Sequence, residues 1–426
     1  MTVDIRDLFT IRSSVDYTKA WQFANRLELL DDCLKTLAVP NSQLLIYGES
    51  GVGKSSLGRQ LFGLLNHRSD LFTYRNYKPL YTIDPHTCIW FNCHELIETD
   101  SDLILSLLRD ESKDSIKARL EELSDGNETL KQVKDSFSAK FGGFGYSHEV
   151  ARTTETIDIP ELEASHQGLQ LFHDFKNIIH HLTEASGFPL VIFLDEFHQV
   201  GTTDDFARII KNLREVKFVF IGTSETFAEL LQPHRQIARL VTNSYKEVPG
   251  ILEEDVRQFF RTVEENSQNE YRFDDEFLDF VVEYSDGYPW LMQQFGYFSL
   301  EHFLDQNRGI DHQVTLTRDD LFPVIPKIAE VVAMANQQRL LRLDTIQANV
   351  IRQLAETPVA TLTNEDLRTK LPSGSVGYFD SAVDDLLEQN VLRSVAGRLL
   401  FVEPMERALV KALIATGQFA SRYETK

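Results

Sequence analysis

The chain has little sulfur and a deficit of positive charge. Three cysteines, Cys33, Cys88 and Cys93, occur among 426 residues. Their spacing makes no metal-binding set, and an odd number cannot all pair internally. Neither a disulfide framework nor a structural zinc site is expected, which fits a reducing, cytoplasmic setting. Cys88 and Cys93 flank the strand-like Ile89-Trp-Phe-Asn92 and are expected as small core residues. No apolar run is long enough to cross a bilayer. Met1-Thr-Val-Asp-Ile-Arg-Asp7 lacks a basic segment followed by an apolar one, so neither a membrane span nor a secretory signal is expected. Internal repeats and low-complexity tracts are also missing. Lysine and arginine number 43 against 65 acids, for a formal net charge of −22. Such a surface repels phosphate backbones and disfavours broad coating of nucleic acid, while leaving room for a local basic patch. Hydrophobic content of 42% and charged content of 25% are ordinary for a globular protein, and the length suggests two or three domains.

What is present is more telling. Gly48-Glu49-Ser50-Gly51-Val52-Gly53-Lys54-Ser55 fits the pattern G-x-x-x-x-G-K-[ST]. Gln43–Tyr47 before it reads as a short buried strand, and Ser56–Leu65 after it reads as a helix. Glycines let the backbone fold into a nest whose N–H groups point at phosphate oxygens, and the helix N-terminus adds positive potential. Lys54 then reaches the β- and γ-phosphates, and Ser55 offers its hydroxyl to Mg²⁺. A second motif, Leu190-Val-Ile-Phe-Leu-Asp195-Glu196, is an apolar run ending in two acids. The run suits a central parallel strand buried on both faces. Asp195 at its carboxyl end is a candidate to hold Mg²⁺, and Glu196 to polarise the water that attacks the γ-phosphate.

Five strands are predicted: Gln43–Tyr47, Thr87–Cys93, Leu190–Asp195, Lys217–Thr223 and Thr242–Val248. Helical stretches separate them, so the expected fold is a doubly wound α/β sheet with nucleotide at the carboxyl ends of the strands. A long excursion, about 95–188, interrupts the sheet. It opens with a helical segment, Asp102–Leu123, and a turn at Ser124-Asp-Gly-Asn127. A glycine-rich loop or hairpin follows at Phe141–Tyr146, then the helix Gln167–Leu182. This excursion is a candidate partner-binding insertion. His180 and His181 are adjacent on that last helix and point in different directions, so a metal pair is not expected.

From Leu252 to about Asn307, aromatics recur at helical spacing and are expected as core. Asp286-Gly-Tyr-Pro289 breaks two of these helices. A connecting helix, Asp319–Leu343, is interrupted near Pro323 and Pro326. Beyond it, Ile346–Ala355, Asn364–Leu371 (capped by Thr363) and Val376–Gln389 read as three helices. Val391–Val402, with Gly397 at its centre, reads as a hairpin. Three helices and a two-stranded wing predict a winged helix.

With these residues in hand, the chain resembles the AAA+ ATPases, in particular the origin-initiator and archaeal-type ATPases and the signal-transduction (STAND) ATPases. The resemblance implies an α/β P-loop domain over 1–250, a helical lid over 251–310, a connecting helix over 311–344 and a winged helix over 345–426. It places Phe23-Ala-Asn-Arg26 along the adenine pocket. It makes Thr223 or Ser224, at the end of the fourth strand, the residue that contacts the γ-phosphate or the attacking water. It makes Arg239, or alternatively Arg235, an arginine finger acting on a neighbouring subunit. Gly287-Tyr288-Pro289 resembles the G-x-P signature of STAND and archaeal ATPases, with Pro289 fixing the start of a lid helix. Where other AAA+ proteins carry a sensor arginine, this chain has Pro289-Trp290-Leu-Met, so the lid is expected to close on nucleotide without that direct contact. ATP is expected rather than GTP, because no Asn-Lys-x-Asp pattern for guanine is present.

Three functions fit: a self-associating, nucleotide-driven switch acting on protein partners in signalling or defence; a DNA-associated ATPase of replication-initiator or transposition-regulator type; and an ATP-binding scaffold with weak turnover. The third helix of the predicted winged helix carries Asp380, Asp384, Asp385 and Glu388 and no lysine or arginine. Such a helix would be repelled in a major groove. The wing itself carries Arg393 and Arg398. These features favour protein contact over DNA.

Overall fold

The computed structural model describes residues 4–10, 14–24, 26–74, 77–81, 84–124, 130–135, 161–201, 206–213, 216–306, 313–335, 343–357, 361–370 and 376–419. Strands β1 (Leu44–Gly48), β2 (Thr87–Asn92), β3 (Leu190–Asp195), β4 (Val216–Thr223) and β5 (Tyr245–Glu247) form one parallel sheet in the order β2-β3-β4-β1-β5. All five predicted strands are in it. The fifth is shorter than Thr242–Val248. Thr242 donates its hydroxyl to the Ala238 carbonyl at 2.7 Å and caps the helix Arg235–Val241, so the strand starts three residues later.

The central strands are largely apolar because both faces are covered. Leu44, Ile46, Trp90, Val191, Phe193, Val219 and Ile221 pack on one side, with the helices Leu27–Ala38 and Lys54–Leu65. Leu45, Ile89, Phe91, Ile192, Leu194, Phe218 and Phe220 pack on the other, with helices from the excursion and with Phe206–Asn212 and Arg235–Val241. The result is a three-layer sandwich.

The segment expected as one helix over Asp102–Leu123 is two, Asp100–Arg109 and Ile116–Ser124. A capping box between Thr99 and Asp102 starts the first. The break has a structural use. β2 is an edge strand, and the Trp90 amide donates to the Asp114 carbonyl at 3.0 Å while Arg119 Nε donates to the Cys88 carbonyl at 3.1 Å. The break therefore satisfies backbone groups that an edge would leave unpaired. The helix back to the sheet is Glu161–Ser186. Residues 125–127 and Phe141–Tyr146 lie outside the described residues.

Three helices, Glu253–Asn266, Asp275–Ser285 and Pro289–Gln306, form the layer after β5. Phe259, Phe260, Phe277, Phe280 and Phe295 are buried among them as core. Each contributes roughly 1.5–3 kcal/mol relative to an exposed side chain. Two short strands not anticipated from sequence, β6 (Tyr271–Phe273) and β7 (Val314–Leu316), pair in parallel beside them. The expected connecting helix is two pieces, Arg318–Leu321 and Ile325–Ala335, separated near Pro323.

At the carboxyl-terminal end, helices Thr345–Glu356, Asn364–Lys370 and Phe379–Glu388 precede a hairpin of β9 (Leu392–Val395) and β10 (Arg398–Phe401). Ala396 and Gly397 both have positive φ, as a two-residue primed turn requires. The Thr363 hydroxyl accepts from the Asp366 amide at 3.1 Å, as expected of a cap. A third strand, β8 (Leu362–Thr363), joins β10, and a further helix, Pro404–Ala415, follows. That last helix, also unanticipated, packs on Thr345–Glu356, Ile325–Ala335 and Asp275–Ser285. Among the described residues no helix is long and apolar enough to cross a membrane.

Candidate active site

The carboxyl ends of β1, β3 and β4 meet at a cavity of about 510 Å³. β1 leads into the loop Gly48–Gly53, and the helix starts at Lys54. Gly53 has φ 93°, a left-handed turn that a side chain would strain, and this turn delivers Lys54 at the helix start. Lys54 is buried and its Nζ donates to the Glu49 carbonyl at 2.7 Å. Burial pushes its pKa down to about 8, against the opposing pull of Glu196, Asp195, Glu403 and Glu49. An ammonium held so cheaply deprotonated gains strongly from an anion beside it.

Ser55 Oγ donates to Asp195 Oδ1 at 3.0 Å, so the two motifs form one site. Asp195 is buried at the end of β3. Burial, and then the charge of Glu196, push its carboxyl up to about 6. Glu196 follows in a left-handed conformation, φ 57°, with its amide donating to Asp195 Oδ1 at 3.1 Å. A non-glycine residue in that region is a local strain of the kind found at functional sites. Its side chain is 41% exposed. Left-handed glycine turns at Gly51 and Gly53, a buried lysine, and a hydroxyl beside a carboxylate that is costly to ionise fit a triphosphate with a divalent cation.

Thr223 and Ser224 separate. Thr223 lies beside Gly48 in register and lines the cavity. Ser224 turns away: its hydroxyl donates to the Thr226 carbonyl and the Glu229 carboxylate, both at 3.0 Å. Arg26 lines the cavity, but its guanidinium is engaged, donating to the carbonyls of Val52 and Pro249. It ties the phosphate loop to the chain leaving β5, and burial pushes its pKa down to about 10. Ser50, Gly51, Gly53 and Ser56 also line the cavity. Ser56 Oγ accepts from the Val15 amide at 3.0 Å, an anchoring role.

Pro289 opens the helix Pro289–Gln306 and lines the cavity beside Trp290 and Gln293. Gly287, at φ 79°, accepts at its carbonyl from the Ile251 amide at 2.9 Å, and Tyr288 Oη donates to the Glu49 carboxylate. The Gly-Tyr-Pro turn therefore holds the start of the helix Pro289–Gln306 to both the segment after β5 and the loop Gly48–Gly53. Arg235 and Arg239 are exposed and line no part of this chain's own cavity.

Several cavity residues escaped sequence reasoning. Asn92 ends β2 opposite Asp195, and its Oδ1 accepts from Trp90 Nε1 at 2.8 Å. His198 sits two residues past Glu196 and lines the wall. Glu403 and Met405 arrive from the carboxyl-terminal unit, with Met405 Sδ 3.1 Å from where a Cβ on Gly51 would stand. The same unit reaches the core again through an ion pair between Arg393 and Glu225, two residues beyond Thr223. Arg407 and Lys411 approach Asp286, at the Gly-Tyr-Pro turn, at 3.5 and 3.6 Å. His198, three residues after Asp195, carries a sequence signal; the pairing of Asn92 with Asp195 exists only in the sheet, and nothing local marks Glu403 or Met405. The three cysteines are free and buried. His180 and His181 face Glu184 on a helix surface, and among the described residues no metal-ligating cluster occurs.

The family described as AAA ATPase domain matches residues 24–221, a span holding the phosphate loop, Asp195 and Glu196. That match and the two motifs gathered at one cavity make the protein a P-loop ATPase. No curated protein matches the chain. Among solved structures it is similar to a Walker-type ATPase of Pyrococcus abyssi, at 15% identity and TM-score 0.49, covering 95% of this chain and 99% of that one. It is similar to the ORC1 protein of Aeropyrum pernix, solved in complex with DNA, at 14% identity and TM-score 0.45, covering 96% of each. It is also similar to RuvB, a Holliday junction branch migration motor of Thermotoga maritima, at 10% identity and TM-score 0.40, covering 89% and 92%.

Proposed function

We propose that the protein is a Mg²⁺-dependent, cytoplasmic ATP hydrolase that works as a self-associating switch on protein partners. In this reading Lys54 and the loop amides hold the phosphates, with Pro289 and Arg26 closing the site. Ser55 and Asp195 hold Mg²⁺, which when bound neutralises charge on the phosphate oxygens. Glu196 takes the proton of the attacking water, Thr223 orients that water or the γ-phosphate, and Arg239 acts on a neighbouring subunit.

The observation that carries the switch reading is the docking of the carboxyl-terminal unit on the nucleotide cavity. Glu403 and Met405 form part of its wall, and Arg393 is paired with Glu225. A module seated there senses what the cavity holds. We read this module, about 345–426, as a winged helix used for packing and protein contact. Arg393 is spent on that docking contact. Asp380, Asp384 and Glu388 are all exposed and recur every four residues, forming one acidic stripe on the helix Phe379–Glu388. Against DNA this stripe meets phosphate repulsion. Asp380 is paired with Arg368 of the preceding helix, and the DNA-associated reading is left with exposed Arg368, Lys370 and Arg398.

ATP turnover with and without duplex DNA, at low and moderate salt, tests the choice. Turnover indifferent to DNA is the expected result. Stimulation by DNA that disappears on Arg398→Glu would replace the protein-directed reading with the DNA-associated one.

A further inference from the structure

We infer that His198 is a positioning residue that sets the carboxylate of Glu196 from the end of β4. The inference rests on the reading of Glu196 as the general base. Glu196 lies in a left-handed turn and its carboxylate is part-exposed, so its backbone alone leaves the side chain free to rotate. His198 Nε2 stands 3.5 Å from Glu196 Oε2. Catalytic contacts of that length in a ligand-free site shorten when substrate completes the geometry.

The imidazole is itself held. Its Nδ1 accepts a hydrogen bond from the Thr223 amide at 3.2 Å. An Nδ1 lone pair used in this way leaves the proton of the neutral ring on Nε2, the atom facing Glu196. The turn carrying His198 is fixed by Phe197. That ring is fully buried, 4.8 Å from the Phe220 ring and 4.5 Å from the His234 ring, centroid to centroid. Burial holds the His198 pKa below its usual value, and Glu196 opposes that shift. The chain of contacts runs from the backbone of Thr223, through both ring nitrogens, to the carboxylate. The end of β4 and the base are thereby mechanically joined, and a small displacement of the strand end moves Glu196.

The test compares His198→Ala and His198→Gln in single-turnover ATP hydrolysis, with binding of a fluorescent ATP analogue measured in parallel. The expected result for His198→Ala is a rate lower by about 10- to 100-fold, the scale of a displaced catalytic group, with analogue affinity unchanged within about twofold. That unchanged affinity also reports an intact fold. His198→Gln keeps an N–H donor near Nε2 and is expected to recover much of the rate. In a Glu196→Gln background, His198→Ala is expected to lower the residual rate no further. A wild-type rate in His198→Ala, with Glu196→Gln impaired, overturns the inference alone. An equal loss in both backgrounds also overturns it. A wild-type rate in Glu196→Gln removes the base reading itself, and the inference with it.

Discussion

Ser55 Oγ donates a hydrogen bond to Asp195 Oδ1 at 3.0 Å, joining two motifs 140 residues apart in sequence. The carboxyl it meets is buried and pushed up to about 6. A carboxyl raised above its unfolded value of 3.8 is costlier to ionise in the folded protein. The folded state thus binds the proton more tightly, and this group's contribution to stability rises as pH falls through about 6. At pH 7 Asp195 is ionised at a cost that a bound cation offsets. Asp195→Asn is expected to raise the Tm of the ligand-free protein by a few degrees at pH 7 and to abolish stabilisation by Mg²⁺ with ATP. Thermal melts with and without Mg²⁺ and ATP check both signs. A lowered Tm in the free variant would contradict the electrostatic account.

Burial pushes the Lys54 pKa down to about 8, so its positive charge is lost as pH rises through that value. Phosphate binding needs the charged form. ATP affinity is therefore expected to weaken as pH rises from about 8, with proton uptake on binding measurable by calorimetry in buffers of different ionisation enthalpy. Lys54→Ala is expected to abolish binding at every pH.

Tyr288 Oη donates to the Glu49 carboxylate, linking the turn before the helix Pro289–Gln306 to the phosphate loop. Tyr288→Phe keeps the ring and deletes that bond. A bond to a charged group is worth about 1.5–3 kcal/mol, of which solvent recovers a part. Nucleotide is expected to dissociate roughly 5- to 10-fold faster in stopped-flow displacement, with association little changed.

Arg239 is exposed and outside its own cavity, where a residue acting on a neighbour belongs. Arg239→Ala is expected to lower turnover by about 10³-fold or more. Mixing it with Lys54→Ala, whose site is dead but whose Arg239 is intact, is expected to restore part of the activity. No recovery on mixing, with each variant self-associating, would rule out action in trans. The same mixing with Arg235→Ala decides between the two arginines.

Much of the sheet and the phosphate site was legible in the sequence, for a physical reason. β3 is buried on both faces, so Leu190–Leu194 is uniformly apolar, and the first polar residue after it, Asp195, lines the cavity. The glycines of the phosphate loop are demanded by local backbone geometry and leave a local pattern. What stayed hidden depends on distant chain. β6 and β7 are three residues each and exist only because they pair with one another. β8 has two residues and needs β10. The break near Asp114 serves a strand edge whose position sequence does not reveal. Arg26 was expected along the adenine pocket; that it also clamps Val52 to Pro249 follows only from the fold. Glu403 and Met405 reach the cavity through packing of the helix Pro404–Ala415, a tertiary event with no local signature. Thr223 and Ser224 were indistinguishable until the turn after β4 pointed one inward and the other at Glu229.

The measurement that bears most directly on the site is ATP hydrolysis by Glu196→Gln with Mg²⁺, followed as the fate of bound labelled ATP. The account predicts ATP bound with wild-type affinity and hydrolysed at least about 100-fold more slowly, so that intact ATP is recovered from the protein. Hydrolysis at the wild-type rate would contradict it, because the carboxylate at the end of β3 would then not be the group that activates water.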